Sequence, residues 1–309
     1  MARITIIIPN YNHQDYIKQR LDTILNQTNK DWEAIIIDDA SNDNSLNIIS
    51  SYLKDHPEFI VKKFIKNKEN SGSGYKSWQK GITFAETEFI WIAETDDFSD
   101  SKFLERTFAS LESNPDAVLA FTASNYVNSQ GKFLYNTNKR LAKLNLREGQ
   151  SEVFSSGLIL DDLPLDPMIT NASCVLFRRP GVPMPEKIFK NKQLSDLFFW
   201  TYLLKDKPFI CINSPLNSFR QHDASTTAQN YGKKKIELYE EYLAYINYFE
   251  LDSKKLETIL YDYIKRYLIP NRKSMGYFNM GPFKKNKHIT FSTKFKLIFK
   301  GYLSRLLNK

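Results

Sequence analysis

Along the first 125 residues, short apolar runs alternate with segments in which apolar positions recur every three or four residues. The runs at 3–9, 33–39, 59–65, 88–94 and 117–123 have the length of strands, and "III" (6–8), "AIII" (34–37) and "FIWIA" (89–93) are apolar at consecutive positions. An unbroken apolar run implies a strand covered on both faces. Between the runs, residues 14–27, 44–54, 75–86 and 101–113 have helical spacing, as in Ile17, Leu21, Ile24 and Leu25. This βαβα order predicts an α/β fold, a Rossmann-like and mainly parallel central sheet flanked by helices.

From about residue 124 the alternation stops. "NYVNSQGKF" predicts a strand pair turning at residues 129–131, "DDLPLDPM" and "RRPGVPMPEK" proline-rich loops, and "SDLFFWTYLL" a helix. "PFICIN" and "PLNSFRQH" predict a short hairpin. Residues 231–250 and 253–269 then predict two helices of a C-terminal extension, which ends in an amphipathic segment, "FSTKFKLIFKGYLSRLLNK".

Ligands bind such sheets at the carboxyl ends of the strands. Four neighbouring ends are polar here: "PNYN", "DDASNDNS", "KNKENSGSG" and "ETDD". Glu94, Asp96 and Asp97 at the last of these repel one another unless solvent or a cation neutralises them. They either cap the helix that starts near residue 101 or supply hard oxygen ligands to a divalent ion that also binds substrate phosphates. Asp39 either accepts hydrogen bonds from a ribose or base or forms an Asx-turn. Tyr11 stacks on a base or covers the core. Lys76, just inside a helix start in "NSGSGYK", suits an anion, although the spacing is neither a P-loop nor a dinucleotide fingerprint. Asp196 opens an apolar helix, where an acid also suits the macrodipole. His222 follows a strand in a polar loop, beside Arg220.

The overall make-up, 42% hydrophobic and 25% charged, is that of a globular protein. Cys174 and Cys211 lie in apolar contexts without metal-like spacing, which predicts buried, reduced thiols. With no signal-like N-terminal segment and no long apolar run, the expected location is cytoplasmic. The net charge of +8 is uneven, since residues 263–309 hold twelve Lys or Arg and no Asp or Glu, so the remainder is acidic. The tail either packs on the protein or lies on the inner face of an anionic membrane as a peripheral contact. Nucleic acid is the poorer reading because no nucleic-acid module accompanies the charge.

The motif series "IIIPNYN", "IIIDDASND", "NSGSG", "IWIAETDD", "NASCVLFRR", "SDLFFW" and "FRQH" resembles glycosyltransferase family 2, with the A-type nucleotide-sugar (GT-A) fold. The resemblance implies a catalytic domain over residues 1–223, with a nucleotide-binding half (1–123) and an acceptor-binding half (124–223). Residues 224–309 would then form the helical C-terminal region with its basic tail. It implies that Pro9, Tyr11 and Asp39 hold the nucleobase, usually uracil, and that Asp96 lies near ribose and metal. Asp97 would be the direct ligand of a divalent cation, Mn2+ or Mg2+, and Lys76 would contact the diphosphate. His222 would contribute to the metal or diphosphate, and Asp196 would be the catalytic base. The activity so implied is inverting transfer of a sugar from a nucleotide-diphosphate sugar, a UDP-sugar by this reading, to a glycan or lipid-linked acceptor. A metal-dependent nucleotidyltransferase and a non-catalytic nucleotide-sugar-binding module are the alternatives.

Overall fold

In the computed structural model, residues 2–160, 167–222, 233–276, 278–284 and 289–307 are described. The chain forms two compact units, Met1–His222 and Asp223–Lys309. The expected loop "DDLPLDPM" lies largely outside the described residues.

Among the described residues, the first unit is built on one sheet of ten strands. These are β1 (Ile4–Asn10), β2 (Trp32–Asp38), β3 (Val61–Lys66), β4 (Phe89–Ile92), β5 (Phe98–Ser99), β6 (Leu119–Val127), β7 (Phe133–Asn136), β8 (Ser151–Phe154), β9 (Val175–Arg178) and β10 (Phe209–Arg220). Its helices are α1 (Ile17–Leu25), α2 (Ser45–Asp55), α3 (Gly74–Phe84), α4 (Phe103–Ser113), the single turns α5 (Asn138–Leu141) and α6 (Gly157–Leu160), and α7 (Ser195–Leu204). The strand order is β3-β2-β1-β4-β9-β6-β10-β5, with β7 on β6 and β8 on β10. The four leading strands are mutually parallel. Beyond them β9 runs antiparallel to both β4 and β6, and the sheet becomes mixed.

The apolar runs are explained by what lies on each side. Ile4, Ile6 and Ile8 join Ile17, Leu21 and Ile24 of α1 and Phe103 and Leu111 of α4 in one buried cluster. Ile7 points the other way, toward α3, which approaches so closely that a Cβ on Gly81 would lie 2.5 Å from Ile7 Cγ2. A larger residue there would push α3 off the sheet, so glycine is set by packing. On that same side Trp78 of α3 meets Phe199 and Trp200 of α7, which also pack on Phe177 of β9. With both faces covered, alternation has no role, and Ile6, Ile7 and Ile8 of β1 and Ala34, Ile35, Ile36 and Ile37 of β2 are apolar at consecutive positions.

The predicted hairpin is corrected. "PFICIN" and "PLNSFR" are one strand, β10, parallel to β6 along its length, with register shifts on either side of Pro215. Proline has no N–H for the ladder and breaks the pairing, but a bulge absorbs the break and the chain keeps its direction. The consequence for the site is direct: β10 carries Arg220 and His222 to the acidic loop after β4.

The second unit contains α8 (Lys233–Tyr248), α9 (Ser253–Tyr263), which continues as a π-helix over Ile264–Leu268, the short α10 (Arg272–Met275) and α11 (Phe291–Leu307). Tyr239, Tyr263 and Phe283 form its aromatic centre. Asp252 caps α9 by accepting from the Lys255 amide at 2.9 Å. No helix among the described residues is long and apolar enough to cross a membrane.

Candidate active site

The loops after β1, β2 and β4 meet at the carboxyl edge of the sheet. Thr95 ties two of them together: its hydroxyl donates to the Pro9 carbonyl at 3.1 Å and also bonds His13 Nδ1. His222, delivered by β10, places Nε2 at 3.1 Å from Asp96 Oδ2. His13, Asp96 and His222 each present a ligand atom within 4.8 Å of the other two, the one cluster of metal-binding type among the described residues. Tyr16 flanks it, with its ring 5.4 Å from that of His222. Burial acts to raise the Asp96 carboxyl, but the His222 hydrogen bond and the charges of His13 and His222 outweigh it and hold the group below its usual value. Burial lowers His13, which favours the neutral imidazole that binds a metal.

Asp97, the expected ligand, is outside this cluster. It is 1% exposed and accepts from the Arg220 amide at 3.0 Å and from Asn171 Nδ2. The same Asn171 amide reaches Glu94 Oε2 at 3.3 Å, and Asn171 Oδ1 accepts from Asn217. Burial, followed by the neighbouring Asp96 charge, pushes Asp97 up to about 7. Glu94 is raised well above the usual carboxylate range by burial, then by the charges of Asp97, Asp96 and Asp196. The two adjacent acids thus have different partners, Asp96 meeting His222 and Asp97 fastening the loop to β10.

The counter-charge for these acids is partly internal. Arg20 of α1 is fully buried and donates to the Glu94 carbonyl at 2.8 Å, to Ser173 Oγ at 3.2 Å and to Ser99 Oγ at 3.4 Å. Burial lowers its pKa to about 10, opposed by Asp97, Asp96 and Glu94. It stays cationic at neutral pH and lies beneath the loop. Sequence reasoning did not single out Arg20, because a basic residue on an amphipathic helix ordinarily faces solvent.

Asp39 is 4% exposed and enclosed by the loop after β3. Its carboxylate accepts from Asn67 Nδ2 at 2.6 Å, Ser71 Oγ at 2.7 Å, the Ser71 amide at 3.0 Å and Asn70 Nδ2 at 3.3 Å. Lys76 belongs to the same neighbourhood, its Nζ donating to the Ser71 carbonyl at 2.7 Å, while Lys80 reaches Asn67 Oδ1 at 2.6 Å. Tyr11, 43% exposed, stands at the end of β1. Asp196 is half-buried in the first turn of α7, and its charge reaches Glu94.

His13 was missed in the sequence. The available signal was its position, in the polar loop directly after β1, where a histidine has the same standing as His222 after β10.

A family model described as glycosyl transferase family 2 matches residues 5–180. The chain belongs to this family. Among curated relatives, it is 36% identical over 120 residues to a poly(ribitol-phosphate) beta-glucosyltransferase of Bacillus spizizenii, covering 38% of this chain and 18% of that one. It is 32% identical over 124 residues to the poly(ribitol-phosphate) beta-N-acetylglucosaminyltransferase TarP of Staphylococcus aureus, covering 38% and 36%. The matches therefore span well under two thirds of those relatives. Residues 1–349 of S. aureus TarS, solved with UDP-GlcNAc, superpose with a TM-score of 0.59 at 17% identity over 90% of this chain and 76% of that one, a likeness of fold.

Proposed function

We propose that this family 2 protein is an inverting glycosyltransferase that moves a sugar from a UDP-sugar to a hydroxyl of a surface glycan, polyol phosphate or lipid-linked acceptor. The convergence of His13, Asp96 and His222 within 4.8 Å, at the strand edge where Asp39 also lies, carries the reading. The names of the relatives from Bacillus and Staphylococcus, and UDP-GlcNAc in the TarS structure, support the donor and acceptor classes. A nucleotide-sugar donor and a lipid-linked acceptor would put the reaction at the cytoplasmic face of a membrane.

Two imidazoles and a carboxylate form a mixed donor set that suits Mn2+ better than Mg2+, which prefers oxygen ligands and retains its waters. Bound there, a divalent cation would neutralise the charge that develops on the leaving diphosphate. Asp39 and Tyr11 would hold the base, the carboxylate accepting the uracil imide hydrogen and the ring stacking. Lys76, beside Ser71, would meet a diphosphate oxygen. Asp196 would accept the proton of the acceptor hydroxyl as its oxygen bonds to C1. The C1–O bond to phosphate breaks with its electron pair leaving on the nucleoside diphosphate. Attack from the face opposite the leaving group inverts C1.

Incubation with a panel of UDP-sugars and Mn2+ tests the reading. Release of UDP, slow alone and faster with a polyol-phosphate or glycan acceptor, is expected, with an inverted anomeric product. Asp196→Asn should reduce transfer by about 100-fold or more while donor binding persists. Pyrophosphate release from UTP and a sugar phosphate would replace transfer with nucleotidyl chemistry.

A further inference from the structure

The apolar positions of α11 are divided between two faces. Ile298 is 5% exposed, and Gly301 is buried where a Cβ would lie 2.8 Å from Ile264 Cγ2 and 2.9 Å from Ile269 Cδ1. That side seats the helix on the π-helical segment of its own unit. A second stripe faces solvent: Phe291, Phe295, Phe299 and Leu303, at i, i+4, i+8 and i+12, are 84%, 54%, 62% and 40% exposed. Phe278, 65% exposed, stacks on Phe295 with ring centroids 6.4 Å apart, and with Ile298, Phe299 and Tyr302 they line an apolar dimple.

Three large aromatics on one stripe, each more than half exposed, are costly in water, and helix packing does not require them because Ile298 and Gly301 already supply the seat. Their surroundings identify the occupant. Lys296 and Lys300 are exposed along the stripe, Arg305 is exposed at its end, and α11 contains no acid. The whole stretch 263–309 has twelve basic residues and no acidic one. A second copy of this chain would bring two cationic faces together, whereas an anionic bilayer complements both the charge and the aromatic stripe.

We propose that α11 is an interfacial membrane anchor, its Phe291/Phe295/Phe299/Leu303 stripe and Phe278 entering the acyl boundary of an anionic bilayer while Lys296, Lys300 and Arg305 engage the headgroups. The helix lies in the membrane plane, and Ile298 and Gly301 keep it attached to its unit. This is independent of the sugar-transfer reading, since no residue of the candidate active site takes part.

The test is co-sedimentation of the full chain with phosphatidylcholine vesicles, with and without phosphatidylglycerol. Binding that requires phosphatidylglycerol, weakens at high salt and falls about tenfold or more in Phe295→Glu/Phe299→Glu is expected. Both positions are solvent-facing, so the variant should retain the melting temperature and the UDP binding of the parent. If its melting temperature falls, Phe299→Trp keeps the proposal testable, because brominated lipid should quench the added indole fluorescence. Absence of vesicle binding, equal binding by the double variant, or no added quenching would overturn the proposal. So would concentration-dependent self-association without vesicle binding, which would make a second copy the occupant.

Discussion

His222 Nε2 lies 3.1 Å from Asp96 Oδ2 although the two residues are 126 positions apart, His222 following the strand β10 that runs parallel to β6 past the register shifts at Pro215. His13 completes the group from the loop after β1, its ring fixed by Thr95. A ligand oriented by a hydroxyl partner loses affinity when that partner is removed. Thr95→Val should weaken Mn2+ binding about 10- to 100-fold, and His13→Ala or His222→Ala by more. Titration of Mn2+ followed by electron paramagnetic resonance measures this without substrate. Unchanged affinity in His13→Ala would remove that residue from the site.

The adjacent carboxylates should separate cleanly on mutation. Asp96→Ala removes the carboxylate that bonds His222 and should abolish Mn2+ binding. Asp97→Ala removes the acceptor of the buried Arg220 amide and one of the two acceptors of Asn171 Nδ2, which keeps Glu94. Each unsatisfied buried donor costs about 1–3 kcal/mol, so urea unfolding should show a loss of that order or larger. A stable Asp97→Ala protein that no longer binds Mn2+ would restore Asp97 as the ligand.

These two acids also mark where the sequence stops being legible. β1 to β4, β6 and α1 to α4 could be read because their apolar spacing reports directly on burial: Ile17, Leu21 and Ile24 are all fully buried. Asp97 turns to Asn171 and Arg220, 74 and 123 residues away, while its neighbour Asp96 meets His222, and no local pattern encodes such partners. Arg20 was hidden for the same reason, since its acceptors Glu94, Ser99 and Ser173 are distant in sequence. The course of β10 was misread because a proline between two apolar runs fits a turn as well as a bulge.

The two cysteines offer a measurement of core integrity. Both are fully buried, and burial raises Cys174 to about 11 and Cys211 further still. At pH 8 neither presents thiolate, so a disulfide-exchange reagent should label none in the native protein and both in denaturant. The Cys174 proton is held more tightly in the folded state than at its ordinary value of 9.0. Its contribution is therefore complete below pH 9 and is lost as pH rises through about 11, an effect of about 2–3 kcal/mol at most. Cys174→Ala should show a shallower loss of stability over that window, measured by urea unfolding at successive pH values.

The Asp39 carboxylate carries a prediction about donor binding, because its acceptor capacity is already filled by Asn67, Asn70 and Ser71. An incoming imide N–H must displace one of these, and Asn70, at 3.3 Å, is the longest of the contacts. Asn70→Ala should therefore leave UDP affinity unchanged or slightly tighter. Asp39→Asn replaces one acceptor oxygen with an N–H2 that opposes both the Ser71 amide and the imide. Loss of a charged hydrogen bond is worth about 1.5–3 kcal/mol, so UDP binding should weaken about 10- to 100-fold in calorimetry. Equal UDP affinity in Asp39→Asn would mean that the carboxylate serves the loop alone and that the base binds elsewhere along the sheet edge.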